Sequence, residues 1–363
     1  MTYSREFITA IVFLVSALAY AQRVETDSLA QERSGWLALP FGFYTPETSV
    51  ALGAGAIYYF RDDVSLDETK PSQAALTAYY TFNNQYRLEL SPKLYLDNER
   101  YYLGANFEAG EYPMKFFGVG NQTRAENEEI FTPRYLRFRV IAKYIALERL
   151  HVGPVLVLES RSIVERAPGG LLDRGAVIGA EGGALAGVGF NVARDLRDNS
   201  FSPRTGSYHE ARGVFYTNRI VGDYAYQSFR YDARKYVPLD DHTLAAQAYA
   251  ELLFGDVPFY ELAELGGVKR MRGYYQGRYR DKLYLAGQIE YRTPFWNRFA
   301  FAAFGGVGET AAAFGAFRIA DAKLAGGVGL RFLFIESERI DVRADVAFGA
   351  NGVHFYVDIG EAF

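Results

Sequence analysis

No cysteine occurs anywhere in the 363 residues. That excludes disulfide staples and thiol chemistry, and it leaves no attachment point for a lipid anchor behind the N-terminal leader. Beyond that leader, no stretch reaches the roughly 18 apolar residues of a membrane-spanning helix. The four histidines, His151, His209, His242 and His354, are scattered without the spacing of a metal site. No G-x-S-x-G, H-E-x-x-H or P-loop pattern appears. The segment DLRDN at 195–199 lacks the acidic spacing and glycine of a calcium loop and reads as a hydrogen-bonded turn. The expectation is therefore a chain with no catalytic residues, no metal and no cofactor. A net charge of −4, with a sequence pI near 5.8, argues against a nucleic-acid partner.

The first residues, MTYSREFITAIVFLVSALAYAQ, carry the three parts of a secretory signal peptide. Arg5 supplies the positive start, Phe7 to Ala19 the apolar run, and Ala19-Tyr20-Ala21 the small-residue cleavage site. Residues 1–21 are thus expected to be removed, leaving Gln22 first. An exported chain without disulfides must be held by its core or by an extensive hydrogen-bond network. Aromatics are plentiful, 28 Tyr and 28 Phe against two Trp. Tyr and Phe suit pleated, half-buried surfaces, and Tyr also suits the lipid–water boundary.

The hydrophobic period is two. In 338–348, Ile340, Val342, Ala344, Val346 and Phe348 share one face, while Arg339, Asp341, Arg343 and Asp345 share the other. Tyr86, Leu88, Leu90 and Leu94 alternate with Arg87, Glu89, Ser91 and Lys93, and Leu136, Phe138, Val140 and Tyr144 alternate with Arg137, Arg139 and Lys143. Leu283, Leu285, Ile289 and Tyr291 alternate with Gln288, Glu290 and Arg292. Such a period means strands whose two faces meet opposite environments. A secreted sandwich or solenoid would alternate too, but these segments are long, near the roughly 9–11 residues of a spanning strand rather than the usual 5–6. Their polar faces mix both signs of charge, as expected of a lumen laced with ion pairs.

The pattern predicts an all-β fold, a sixteen-stranded antiparallel transmembrane barrel over 36–363, preceded by a short segment at 22–35. Expected strands are 36–44, 49–60, 73–83, 85–95, 100–110, 133–146, 150–161, 183–195, 206–217, 222–237, 241–254, 281–293, 297–306, 323–334, 339–349 and 352–363. Short connections on one side face long ones at 111–132, 162–182, 255–280 and 307–322, although 61–72 is long on the short side. The segment 22–35 is too short for a folded domain, so no periplasmic domain is expected. The localisation implied is the bacterial outer membrane.

Three groups of residues stand out. Phe355, Val357, Ile359 and Phe363 are expected on one face of a closing strand, the kind of C-terminal signal that barrel-assembly machinery binds. Pro40 in the first strand cannot donate to a ladder, and Gly349, Gly352 and Gly360 lie in or near the last strand, which predicts a weakly paired lateral seam unless Pro40 only marks a short first strand. Finally, KRMRGYYQGRYRDK at 269–282 holds six basic residues, with Gly273 and Gly277 among three tyrosines. An exposed basic loop touching lipopolysaccharide is one reading of it.

The other reading comes from a resemblance. Arg272-Gly273-Tyr274 followed by DKLYLAGQIEYRTP at 281–294 resembles the R-G-Y/F loop and next strand of the BamA/TamA superfamily, the bacterial surface antigens. SGWLALPFGFYTPETSVALGAGAIYYF (34–60) resembles the barrel opening of its short, domain-less members, DLRDNSFSPRTG (195–206) the turn between its eighth and ninth strands, and GGVGLRF (326–332) and YVDIGEAF (356–363) its closing strands. The resemblance implies that the loop folds into the lumen and that Arg272 packs against acids of the wall. Glu290, on the polar face of the twelfth strand, is the expected partner in a charge-assisted pair. Gly273 would permit a conformation closed to other residues. One departure is Gly306, where the family often carries a further acid in the thirteenth strand. The function implied is assistance to insertion or transport of proteins or lipids at the outer membrane, with client barrels and a separate periplasmic or lipoprotein partner. A gated channel and a structural anchor for surface components remain the alternatives.

Overall fold

The computed structural model describes residues 34–60, 71–97, 99–147, 149–336 and 338–363. The expected signal peptide at 1–21, the segment 22–33 and the connection at 61–70 lie outside the described residues.

Sixteen long strands form the wall. They are β1 Ser34–Thr45, β2 Ser49–Phe60, β3 Ser72–Thr81, β4 Tyr86–Leu96, β5 Tyr101–Glu111 and β6 Glu129–Leu147. Then come β7 Leu150–Arg166, β8 Gly182–Asp195, β9 Gly206–Tyr216, β10 Tyr226–Leu239 and β11 His242–Gly255. The last five are β12 Leu283–Trp296, β13 Phe299–Ala311, β14 Lys323–Ile335, β15 Ile340–Gly349 and β16 Gly352–Ile359. Each pairs antiparallel with its neighbours in sequence, and β1 meets β16 to close the sheet. Closure leaves no free sheet edge except where that last pairing is short.

Alternation of chemistry becomes alternation of environment. In β12, Ile289 is 60% exposed and Tyr291 39%, whereas Glu290 between them is fully buried. Outside a barrel an exposed apolar side chain faces the surrounding medium, so the apolar face points out and the charged face in. Both tryptophans, Trp36 and Trp296, are exposed at the end of the barrel where the short turns lie. Two of those turns place Asp240 and Asn297 at φ +54° and +46°, a conformation that these residue types tolerate better than most.

The main hydrophobic cluster lies toward the long-loop end. Phe116, Phe131, Leu172, Tyr226, Phe259, Leu265, Met271 and Tyr284 bring together three long connections and the wall strands beside them. A short strand, Met114–Phe116, pairs with the start of β6, which is why β6 begins earlier than the pattern in 133–146 suggests. β13 likewise runs on to Ala311, because the glycine run 305–308 stays paired with β12 and β14 instead of looping out.

The last strand departs from expectation. β16 ends at Ile359, and Gly360 turns the chain at φ +79°. Phe363 therefore does not share a face with Phe355, Val357 and Ile359. It is buried against Tyr236, Ala245 and Ala362 on the far side of the barrel.

An outward face that meets lipid predicts depth-dependent costs. Ile289→Arg, in the middle of β12, should lower the unfolding free energy in liposomes by about 2–4 kcal/mol. Leu239→Arg, at the end of β10, should cost no more than ~1 kcal/mol. Urea titration of the chain refolded into vesicles measures both, and equal costs at the two positions would speak against a lipid-facing wall.

Candidate functional site: the Arg272 loop and the closing strands

The connection 256–282 joins β11 to β12, and its two arms pair with each other, Ala263–Leu265 against Tyr279–Asp281. Between the arms the chain turns at Gly266 and Gly267, both at positive φ, and brings Arg272 to Glu290 of β12 and Asp345 of β15. The guanidinium donates from Nη2 to Glu290 Oε2 at 2.5 Å and from Nη1 to Asp345 Oδ2 at 2.7 Å. Its plane lies over the Phe304 ring, with Cζ 3.5 Å from the centroid. All three charged side chains are fully buried. A planar fork that bridges two carboxylates and stacks on a ring uses properties lysine does not have.

The pair belongs to a larger network. Arg331 donates to Asp345 at 2.6 Å, to Glu361 at 2.9 Å and to Glu290 at 3.3 Å. Arg292 reaches Glu290 at 2.7 Å and Glu361 at 3.3 Å. Arg343 bridges Asp345 at 2.8 Å and Asp358 at 3.0 Å. Arg272, Arg292, Arg331 and Arg343 are thus matched by Glu290, Asp345, Asp358 and Glu361. Balance of this kind is needed, because an unmatched charge in such a setting costs several kcal/mol.

Two glycines let the loop come this close. Gly273 sits at φ +107°, and a Cβ there would lie 2.8 Å from the Phe348 carbonyl oxygen. Opposite it, a Cβ on Gly349 would lie 2.2 Å from the Gly273 carbonyl oxygen. The Gly273 N–H donates to the Tyr356 hydroxyl at 3.0 Å. Tyr274 donates its hydroxyl to the Leu324 carbonyl at 3.0 Å and accepts from the Ala350 N–H at 3.1 Å. Further along, the Gln276 N–H donates to Glu47 Oε1 at 2.6 Å, in the turn between β1 and β2. Burial pushes the Glu47 carboxyl above its ordinary range, and the Gln276 bond opposes that.

Among the described residues the closing strands meet at one register pair, Tyr44 opposite Val357. By contrast, β1 pairs with β2 over its whole length, from Ser34 to Thr45, and β15 with β16 from Val342 to Gly349. Pro40 stands mid-strand in β1, opposite Ala54 of β2. The glycines expected in or near the last strand sit at its two ends. Gly349 and Gly352 face each other across the β15–β16 hairpin, and Gly360 turns the tail after β16. Gly349 serves the approach of the loop, which a strand-end glycine does not announce in sequence.

Glu290 is reached by Arg272, while the second acid comes from β15 as Asp345 and not from β13. Gly306 of β13 lies beside Met271, where a Cβ would be 3.4 Å from its Sδ. The sequence signal for Asp345 was its place on the polar face with Arg343.

With this geometry in hand, comparison with known proteins is informative. A model of the Omp85 superfamily domain matches residues 70–363. The chain belongs to the Omp85 superfamily. Among solved structures it is similar to BamA from Haemophilus ducreyi lacking POTRA domains 1–3, with a TM-score of 0.63 and 12% identity over 90% of this chain and 70% of that one. It is also similar to CdiB from Acinetobacter baumannii, with a TM-score of 0.55 and 10% identity over 90% of this chain and 60% of that one. At such identities the likeness speaks to the fold. Comparison with curated proteins gives no match.

Arg272→Ala should destabilise the barrel by about 3 kcal/mol, the lower end for a broken buried pair, because Arg331 still reaches both acids. Arg272→Lys should recover only part of that loss. Gly349→Ala should free the loop without removing a charge. Urea unfolding and the rate of proteolytic cleavage within 256–282 report both effects, and an Arg272→Ala protein as stable and as resistant as wild type would dismiss the argument.

Proposed function

We propose that this Omp85 barrel assists the insertion or transport of proteins, or of lipids, at the bacterial outer membrane, by opening between β1 and β16. The observation that carries the reading is the single Tyr44–Val357 partner pair at closure, beside neighbours paired along their lengths. A strand edge left without its ladder is a template for β-augmentation, so a client strand can add to β1 or β16. Pro40, lacking an N–H, weakens the β1 edge further.

In this reading the loop folds into the lumen and acts as a lock. It bonds Tyr356 on β16 and Glu47 at the turn after β1, so it spans the two sides of the seam from within. Phe355 and Ile359 of β16, with Val357 between them buried against Tyr44 and Val50 in the closed barrel, are the residues that barrel-assembly machinery would engage while this chain itself is inserted. Client barrels, outer-membrane lipids with lipopolysaccharide, and a separate periplasmic or lipoprotein partner that captures clients complete the scheme. No step in it calls for catalysis.

The test uses Tyr44→Cys with Val357→Cys, in a chain that has no other cysteine. Purified protein is placed in liposomes, and folding of a small unfolded client barrel is followed with the seam oxidised and reduced. Acceleration that vanishes on oxidation and returns on reduction is the expected result. A client rate that neither form changes, or that oxidation leaves accelerated, overturns the proposal in favour of a channel or an anchor.

A further inference from the structure

A chamber of about 450 Å³ lies between the loop and the wall, apart from the Arg272 network. Arginines enter it from β4, β6, β7, β9 and β10. Nearly all of them hold a carboxylate: Arg87 pairs with Glu89 and Glu108, Arg137 with Glu159 and Glu261, and Arg161 with Glu159. Arg212 pairs with Glu210 and Arg230 with Glu251. Among the described residues Arg139 of β6 has no carboxylate partner, and its Nε is buried without a hydrogen bond.

Two further observations sharpen this. Arg212 and Arg230 stand directly opposite each other on β9 and β10, each answered by one carboxylate, Glu210 and Glu251. The buried Nε of Arg212 also lacks a partner. Second, a cavity of about 600 Å³ lies on the short-turn side of Arg139 and shares with the chamber only Glu108 and Arg139. Arg139 is therefore at the boundary between the two spaces, reachable from the short-turn end.

We propose that the chamber is a binding site for a phosphate-type oxyanion, held by Arg139 with Arg137 and Arg212 beside it. Guanidinium forks match the oxygens of phosphate, and its multiple acceptors and charge can satisfy donors from several strands at once. The volume admits a phosphate or a phosphorylated headgroup. This inference is independent of the seam-opening proposal, since it requires neither a client nor movement of β1 and β16.

The experiment is calorimetric titration of the whole purified chain in a non-ionic detergent, in chloride buffer. Inorganic phosphate is the ligand in one arm and a short-chain phosphatidic acid in the other. Saturable binding, weakened about tenfold or more by Arg139→Gln and less by Arg139→Lys, is expected. Tighter binding of the phosphatidic acid identifies a lipid headgroup as the source, and equal or tighter binding of phosphate identifies the free anion. Heat-modifiable migration on gels checks that the variants are folded, and Arg212→Gln replaces Arg139→Gln if the latter fails that check. No saturable binding of either probe, or affinities unchanged by removing the arginine, overturns the site.

Discussion

Arg272 has to leave water to reach its place, and it can do so only because two carboxylates wait there. The fork between Glu290 and Asp345 is the constraint on which the interior is arranged. A guanidinium buried alone would cost several kcal/mol, so the loop arginine cannot take this place without the acids of the wall. The acids themselves are not reserved for the loop. Arg292, Arg331 and Arg343 hold them in place within the wall, from β12, β14 and β15. The loop arginine thus docks into a site already ordered, which reduces the conformational entropy lost when it binds.

Backbone geometry enforces the same outcome. Salt bridges alone would hold Arg272 at the end of a long flexible side chain, with freedom for the rest of the loop. Contact between Gly273 and Gly349 removes that freedom, because the two backbones meet where neither has room for a Cβ. Tyr356 and Tyr274 then tie the loop backbone to β16, to β14 and to the β15–β16 hairpin. Charge fixes where the loop goes, and the glycines fix how near.

Most of the barrel was legible because a wall between an apolar medium and a charged lumen writes its period directly into the residues. Strand ends drifted where pairing continued into connections, as in β6, or where a glycine run looked like a loop, as in β13. Glu290 could be placed by alternation once the resemblance pointed to Arg272. Asp345 sat on an equally clear polar face, but the sequence does not show which strand brings an acid to the depth of the loop. The tail shows the opposite failure. Alternation carried past Ile359 would put Phe363 outside, yet the same count puts Glu361 outside as well. That acid was the sign that the strand must end, and in the structure it turns in to meet Arg292 and Arg331. Gly349 stood out only as a glycine near the last strand, and its role against the loop was hidden because its neighbour Gly273 belongs to a distant segment.

If β1 and β16 part as proposed, the loop cannot follow both. On one side it is held to the wall through Arg272 at β12 and β15 and through Gly273 at β16; on the other, through the Gln276 N–H at Glu47. Breaking a buried ion pair costs roughly 3–5 kcal/mol, whereas a hydrogen bond to a charged group contributes about 1.5–3 kcal/mol. The two attachments are therefore unequal, and the Glu47 contact is the one to yield. On this argument the loop stays with β12, β15 and β16 while the β1–β2 hairpin swings free. The strand offered to a client is then β1, the one with Pro40 in its ladder.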